Sequence, residues 1–274
     1  MTINCKGNLI DLTTPKVMGI LNTTPDSFYS ESRKTSLSAL LKTAEKMLEQ
    51  GATFLDIGGY STRPGAEDIS ETEELDRVVP AIEAILKNFP ESIISIDTFR
   101  SKIATEALEA GSAIVNDISA GNLDEKMMQV VADFQVPCIM MHMRGTPQTM
   151  KDLNEYTELT QEILFYFSER IKAARAMGIN DIIVDPGFGF SKNITQNFEL
   201  LSNLRKLKSL GLPILAGLSR KSTIYKTLNC TPQEALNGTT VLNTMAIANG
   251  ASILRVHDVK EAVESIKLMS QLTF

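Results

Sequence analysis

Basic residues are the scarcer charge in this chain. The 274 residues carry 27 Lys and Arg against 33 Asp and Glu, a formal net charge of −6. Binding to nucleic-acid backbones depends on a basic surface, so broad nucleic-acid binding is excluded as the main activity. A small anionic ligand is not excluded, because a local cluster of cations can sit on an acidic protein. Long apolar runs are also missing. None approaches the roughly 20 residues that a membrane helix requires, so no membrane partner is expected. The opening Met-Thr-Ile-Asn-Cys-Lys-Gly-Asn lacks the basic start and apolar stretch of a secretory leader, and the expected compartment is the cytoplasm. Cysteine is sparse. Cys5, Cys138 and Cys230 are odd in number, scattered and without Cys-x-x-Cys spacing, which predicts reduced thiols. Two histidines, His142 and His257, are too few for most zinc sites built on histidine. The Gly-x-Gly-x-x-Gly fingerprint and the Walker A phosphate loop are both absent.

What is present is ordinary globular composition, 43% hydrophobic and 22% charged, in a chain long enough to fold without disulfides or a structural metal. One pattern repeats throughout: a short apolar run ends in a polar residue, a turn rich in Gly, Ser, Thr or Pro follows, and then an amphipathic helix. The eight runs cover 17–22, 54–58, 93–97, 113–118, 138–142, 181–185, 213–219 and 252–257. They are continuous rather than alternating, as suits strands buried on both faces of a parallel sheet. Between them, Leu37, Leu40, Leu41, Ala44, Met47 and Leu48 form one stripe at helical spacing. Leu75, Val78, Val79, Ile82, Ile85 and Leu86 form another. Ser70 with Glu73, Thr231 with Glu234, and Asp258 with Glu261 read as helix starts. Gly51, Gly111, Gly178, Gly211 and Gly250 read as helix stops. Eight strands in strict alternation with about eight helices predict right-handed crossovers and a (β/α)8 TIM barrel of the α/β class. Residues 2–13 read as an N-terminal β-hairpin closing the barrel bottom. No linker or composition shift appears, so residues 1–274 are expected to form a single domain.

In such a barrel the chemistry sits at the C-terminal ends of the strands. The polar residues there are Asn22, Asp56, Asp97, Asn116, His142, Asp185, Ser219 with Arg220 and Lys221, and Arg255 with His257. Singly, each has a structural reading. Asp97 can cap the helix that follows, Asp185 can turn the chain before Pro186, and Asn116 can satisfy loop backbone. A polar terminus on nearly every strand is more than a structural barrel needs. Asp97, Asn116 and Asp185 together offer donors and acceptors to a flat, nitrogen-rich ring. Arg220, Lys221, Arg255 and His257 follow strands seven and eight, the usual phosphate quarter. An arginine inside Ile-Leu-Arg-Val is costly to bury without an anionic partner. Two long Thr/Ser/Gly/Pro-rich loops, 22–29 after the first strand and 58–65 after the second, read as covering lids.

Taken together, these residues resemble the dihydropteroate synthase family over nearly the whole chain. The motifs are Asn22-Thr-Thr-Pro-Asp-Ser-Phe28, Asp56-Ile-Gly-Gly-Tyr-Ser-Thr-Arg-Pro-Gly65, Ser95-Ile-Asp-Thr98, Asn116-Asp-Ile-Ser119, Met141-His-Met-Arg-Gly145, Asp185-Pro-Gly-Phe-Gly-Phe190, Gly217-Leu-Ser-Arg-Lys-Ser222 and Arg255-Val-His257. The chain departs from the family pattern at Ser30-Glu31, where Asp-Gly-Gly often stands, and at Tyr60, where an acidic residue is common. The resemblance implies condensation of 6-hydroxymethyl-7,8-dihydropterin pyrophosphate with 4-aminobenzoate to give 7,8-dihydropteroate and pyrophosphate, a step of folate biosynthesis. It implies that Asp97, Asn116, Asp185, Lys221 and Met140 meet the pterin, with Lys221, Asp97 and Asp185 the catalytic residues. Thr62, Arg63, Arg255 and His257 match pyrophosphate contacts. Phe28, Pro64, Phe190, Arg220 and Ser222 match the surroundings of the aminobenzoate. Asn22 matches a Mg2+-associated position, and a homodimer through the last helices is the family's usual assembly. Two other readings stand beside this one. A methyltetrahydrofolate-type methyltransferase uses a similar barrel but has no need of the Ser-Arg-Lys-Ser loop. A non-catalytic pterin-binding module has no need of Arg255 and His257.

Overall fold

The computed structural model describes residues 1–23, 33–61 and 68–272, with backbone alone for 33–36. The chain opens with an antiparallel hairpin, β1 (Thr2–Cys5) and β2 (Asn8–Asp11), in which Ile3 lies opposite Ile10. Then comes the predicted alternation: β3 (Lys16–Asn22), α1 (Arg33–Glu49), β4 (Phe54–Gly58), α2 (Glu71–Asn88), β5 (Ile93–Asp97), α3 (Ser101–Glu109), β6 (Ile114–Asp117), α4 (Met127–Phe134), β7 (Cys138–Met141), α5 (Leu159–Ala176), β8 (Ile182–Asp185), α6 (Ile194–Ser202), β9 (Leu215–Ala216), α7 (Ser222–Thr227), α8 (Leu236–Ala248), β10 (Ile253–Val256) and α9 (Val259–Met269). Among the described residues strands β3 to β10 form one eight-stranded sheet in the order β8-β7-β6-β5-β4-β3-β10-β9, paired in parallel throughout. A parallel bridge between Val184 and Ile214 brings its two ends together. The architecture is the predicted TIM barrel.

Strand alternation divides the apolar side chains into two layers. Met18, Phe54, Ile114, Ile139, Ile183, Leu215 and Ile253 pack with Ile3, Cys5 and Leu12 of the hairpin region. This fills the lower barrel interior, so the hairpin serves as its floor. The other face of each strand packs under the helices: Leu55, Ile57, Ile94, Ile96, Val115 and Val184 lie in one cluster with Val78, Ile82, Ile85, Ile103 and Phe167. The second stripe read from the sequence faces this layer, as does the first from Leu40 to Leu48. Burying each fully enclosed Val or Ile stabilises by about 1.5–3 kcal/mol.

The helix starts follow local chemistry. Ser70 caps α2, its hydroxyl accepting from the Glu73 backbone N–H at 3.1 Å. Asn193 and Gln196 make a full capping box on α6 that the sequence reading passed over. At Thr231, Glu234 reaches back to both the backbone N–H and the hydroxyl, at 2.9 and 2.8 Å, but α8 begins only at Leu236. Asp258 precedes α9 without a side-chain cap, because its carboxylate is taken by Arg220. The five predicted helix-stop glycines all adopt left-handed backbone.

Candidate active site at the barrel mouth

With Phe54 facing inward at the bottom of β4, alternation turns Asp56 inward above it. The same rule turns Asp97 inward on β5, Asn116 on β6 and Asp185 at the end of β8. The register places Gly58 beside Asp97, Asp97 beside Asn116, and Met141 beside Asp185. Gly58 leaves space here, since a β-carbon on it would lie 3.5 Å from that of Asp97.

Arg255 on β10 is the hub. Its Nε donates to Asp56 Oδ2 and its Nη2 to Asp97 Oδ2, both at 2.5 Å. The anionic partner expected for this arginine is thus supplied by the chain's own carboxylates. Burial alone would lower the arginine's affinity for its proton, but Asp56 and Asp97 more than reverse that and raise it. Asp97 is pushed up from the ordinary carboxylate range by burial, with Arg255 opposing. Asn116 donates through Nδ2 to Asp56 Oδ2 at 3.1 Å, which turns its own Oδ1 the other way as an acceptor. Asp56 is fully buried, and its Oδ1 has no hydrogen-bond partner among the described residues.

Asp185 Oδ1 accepts from the Gly187 backbone N–H at 2.8 Å. This is the turn-making role that its sequence position allowed. Its Oδ2 and the Lys221 ammonium both face Gly217, where a β-carbon would lie 3.9 and 3.7 Å from them. Burial raises the Asp185 carboxyl above its usual range, with Lys221 the main opposing influence. Burial brings Lys221 down to about 8, with Asp185 resisting. Lys221 also donates to the Phe188 carbonyl and lies 4.9 Å from the centroid of the Phe190 ring. Among the remaining expected residues, His257 exchanges a hydrogen bond with Ser219 at 3.0 Å. Ser222 opens α7, and Asn22 ends β3 exposed. Phe28, Thr62, Arg63 and Pro64, and the Ser30-Glu31 departure, lie outside the described residues.

One expectation changes. Met140 was expected at the pterin, but it is fully buried and packs in the layer beneath the helices. Its register partner is Val184, whereas Met141 pairs with Asp185 and therefore shares its face. A one-residue step along a strand exchanges the two faces, so Met141 is the methionine aimed at the mouth. Arg220, expected beside the aminobenzoate, has its guanidinium engaged by the chain's own groups. It donates to both Asp258 oxygens at 2.8 Å and to the carbonyls of Pro232 and Gln233 at 2.9 and 2.6 Å.

The sequence reading did not single out Lys192 or Glu74, and it noted Tyr60 only as a departure from the family pattern. Lys192 is buried and donates to His142 Nδ1, to the Gly187 carbonyl and to the Phe190 carbonyl. Glu74, fully buried on α2, accepts from Thr98 at 2.8 Å and from Arg100 at 2.9 Å, fixing the turn after β5. Tyr60, standing where the family pattern has an acid, accepts from Gln148 at 2.9 Å and packs edge-on against Phe99. Nothing about these side chains in one dimension announces such partners, which lie up to 88 residues away.

The comparisons with known proteins bear on this arrangement. Residues 18–257 match the family described as pterin binding enzyme. The chain is 46% identical over 259 residues to the dihydropteroate synthase of Synechocystis, covering 93% of this chain and 89% of that one. It is 41% identical over 271 residues to the dihydropteroate synthase of Escherichia coli K12, covering 98% and 95%. The structure superimposes on that of Yersinia pestis dihydropteroate synthase in complex with a sulfonamide drug with a TM-score of 0.93, at 41% identity, covering 99% of this chain and 98% of that one.

Proposed function

The chain belongs to the dihydropteroate synthase family of pterin binding enzymes, and we propose how its barrel mouth divides the work of that activity. The reaction joins 6-hydroxymethyl-7,8-dihydropterin pyrophosphate to 4-aminobenzoate, giving 7,8-dihydropteroate and pyrophosphate in folate biosynthesis. The observation that carries the assignment of roles is the inward set Asp56, Asp97, Asn116 and Asp185, gathered around Arg255 and Lys221.

Asp185 Oδ2 is the acceptor for the amidine-like N–H edge of the pterin, because Oδ1 is already held by Gly187. Asn116 Oδ1 is a second acceptor, for a ring N–H. Lys221, which lies against Gly217 as Asp185 does, is assigned to the ring as well. In the reaction the amine nitrogen of the aminobenzoate forms a bond to the pterin CH2. The C–O bond to pyrophosphate breaks with its electron pair leaving on pyrophosphate, and the nitrogen gives up one proton. The ring can spread positive charge from that carbon, so departure can run ahead of attack. Asp56, Asp97 and Asp185, when ionised, place carboxylates in the mouth, a field that favours such a cation in a site already organised before substrate arrives. Arg255 and His257 are assigned to the leaving anion. The aniline nitrogen is a competent nucleophile when neutral, so a strong base is not required.

Mg2+ is the proposed cofactor, neutralising charge on the leaving pyrophosphate when bound. Asn22 fits as one hard oxygen donor at an exposed strand end. Among the described residues no group of three His, Cys, Asp or Glu forms a metal cage. Mg2+ is often held largely by substrate phosphates and water. A homodimer is also proposed. Val241 and Met245, one turn apart on α8, are each about half exposed, an apolar face suited to a second copy. Among the described residues no helix is long and apolar enough to cross a membrane. The test of the activity is pyrophosphate release by the purified protein. Release is expected only when the pterin pyrophosphate, 4-aminobenzoate and Mg2+ are all present. Release that ignores 4-aminobenzoate would mark a hydrolase instead.

A further inference from the structure

The loop from β8 to α6, residues 186–192, is gripped by two ammonium groups. Lys221 donates to the Phe188 carbonyl from one side. Lys192 donates to the Gly187 carbonyl at 3.0 Å, the Phe190 carbonyl at 2.9 Å and His142 Nδ1 at 3.1 Å. A protonated Lys192 has three N–H donors, one for each of these acceptors; burial brings its pKa down to about 7 with Asp185 resisting, so the full grip is held on the acid side of that value. The loop is shaped for the grip. Gly187, Gly189 and Ser191 have φ of +72°, +82° and +50°. A β-carbon on Gly187 would lie 2.1 Å from the His142 carbonyl oxygen, so only glycine allows the loop to approach β7 this closely. Further ties come from the Gly189 N–H to Asn197 Oδ1 at 2.6 Å and the Arg144 N–H to Ser191 Oγ at 2.8 Å. The His142 ring receives a proton donor at Nδ1. Burial and the neighbouring Lys192 bring its pKa down to about 2, so it stays a neutral acceptor.

Phe190 is the side chain this grip sets in place. Its ring packs against the cluster of Ile118, Met141, Met143 and Met150 and presents its face to Lys221 at 4.9 Å. Carbonyl satisfaction alone needs no charge, and an ammonium is a costly group to bury. We propose that Lys192 is a positioning residue of the reaction: by drawing the Gly187 and Phe190 carbonyls toward His142, it fixes the Phe190 ring beside Lys221 as one wall for the aminobenzoate ring. This rests on the reading of Phe190 as part of the aminobenzoate surroundings. Lys192 itself reaches neither substrate.

The experiment compares steady-state constants of Lys192→Met, Phe190→Ala and the double variant with wild type, alongside calorimetric titration of the pterin pyrophosphate. Lys192→Met is expected to raise KM for 4-aminobenzoate about tenfold while pterin affinity changes less than about threefold. In the double variant the two effects should not multiply, because residues acting through one another are non-additive. Lys192→Gln keeps two N–H donors for the two carbonyls. It should raise the aminobenzoate KM by only about threefold, again without multiplying with Phe190→Ala, and it decides the matter if Lys192→Met fails to fold. Equal loss of both substrates, or effects that multiply, would overturn the proposal and leave Lys192 a part of the scaffold. A wild-type enzyme that forms no dihydropteroate would instead overturn the assigned activity. Pterin affinity unchanged by Phe190→Ala together with an unchanged aminobenzoate KM would overturn the reading of Phe190 on which this proposal stands.

Discussion

Arg255 stands between two carboxylates, and that decides what its removal does. Its side chain is 19% exposed, Asp56 not at all and Asp97 13%. Arg255→Ala leaves both acids buried without a counter-charge, which should cost about 3–5 kcal/mol of stability as well as pyrophosphate affinity. In the variant the Asp97 carboxyl, already raised by burial in the folded state, loses the Arg255 influence that opposes the rise. The native state then binds more protons than the unfolded state, and stability recovers as pH falls. Urea denaturation at about pH 8 and about pH 5 should show the deficit relative to wild type shrinking at the lower pH. A deficit that is equal at both would mean the pair carries no such charge. Lys221 gives a second dependence on pH. Brought down to about 8 by burial, it loses its proton as pH rises through that value, so kcat/KM should fall on the alkaline side. Lys221→Arg stays charged and should lose that limb while starting from a lower plateau. An unchanged limb would assign it to another group. At this scale the sequence was legible as far as residue type and strand position. Asp97, Asn116, Asp185, Lys221 and Arg255 were all visible as polar ends of apolar runs. Their pairing was not, because Asp56 and Arg255 are 199 positions apart.

At the scale of the element, continuous apolar runs announced buried parallel strands but concealed which face each residue takes. An alternating strand declares its register, whereas Cys-Ile-Met-Met offers no contrast. The run alone does not tell Met140, which the family resemblance put at the site, from Met141; the pairing of Met141 with Asp185 does. The two methionines should separate in experiment. Met140→Ala removes a fully buried side chain and should cost about 2–5 kcal/mol of stability with pterin affinity near wild type. Met141→Ala should lower pterin affinity instead. Calorimetric titration and denaturation of both variants make the comparison, and the reverse pattern would return Met140 to the mouth. Helix caps were legible where the chemistry is local, as at Ser70. They were illegible where a distant partner competes, as Arg220 does for Asp258.

For the whole molecule, alternation of eight strands with helices was enough to predict the barrel, and the barrel's geometry carries the strand-end residues to one mouth. Assembly depends on surface alone. If Val241 and Met245 face a second copy, the protein should sediment as a dimer, and Met245→Lys should shift it toward the monomer. Wild type sedimenting as a monomer at high protein concentration would remove the dimer. The central claim is that inward carboxylates at the mouth hold the pterin, and the direct test is calorimetric titration of the pterin pyrophosphate into wild type and Asp185→Asn. The substitution keeps side-chain volume but replaces a charged acceptor with a group that is part donor. The account predicts a weakening of about 1.5–3 kcal/mol, roughly ten- to hundredfold, with the thermal transition still cooperative. Equal affinity in the two proteins would contradict it.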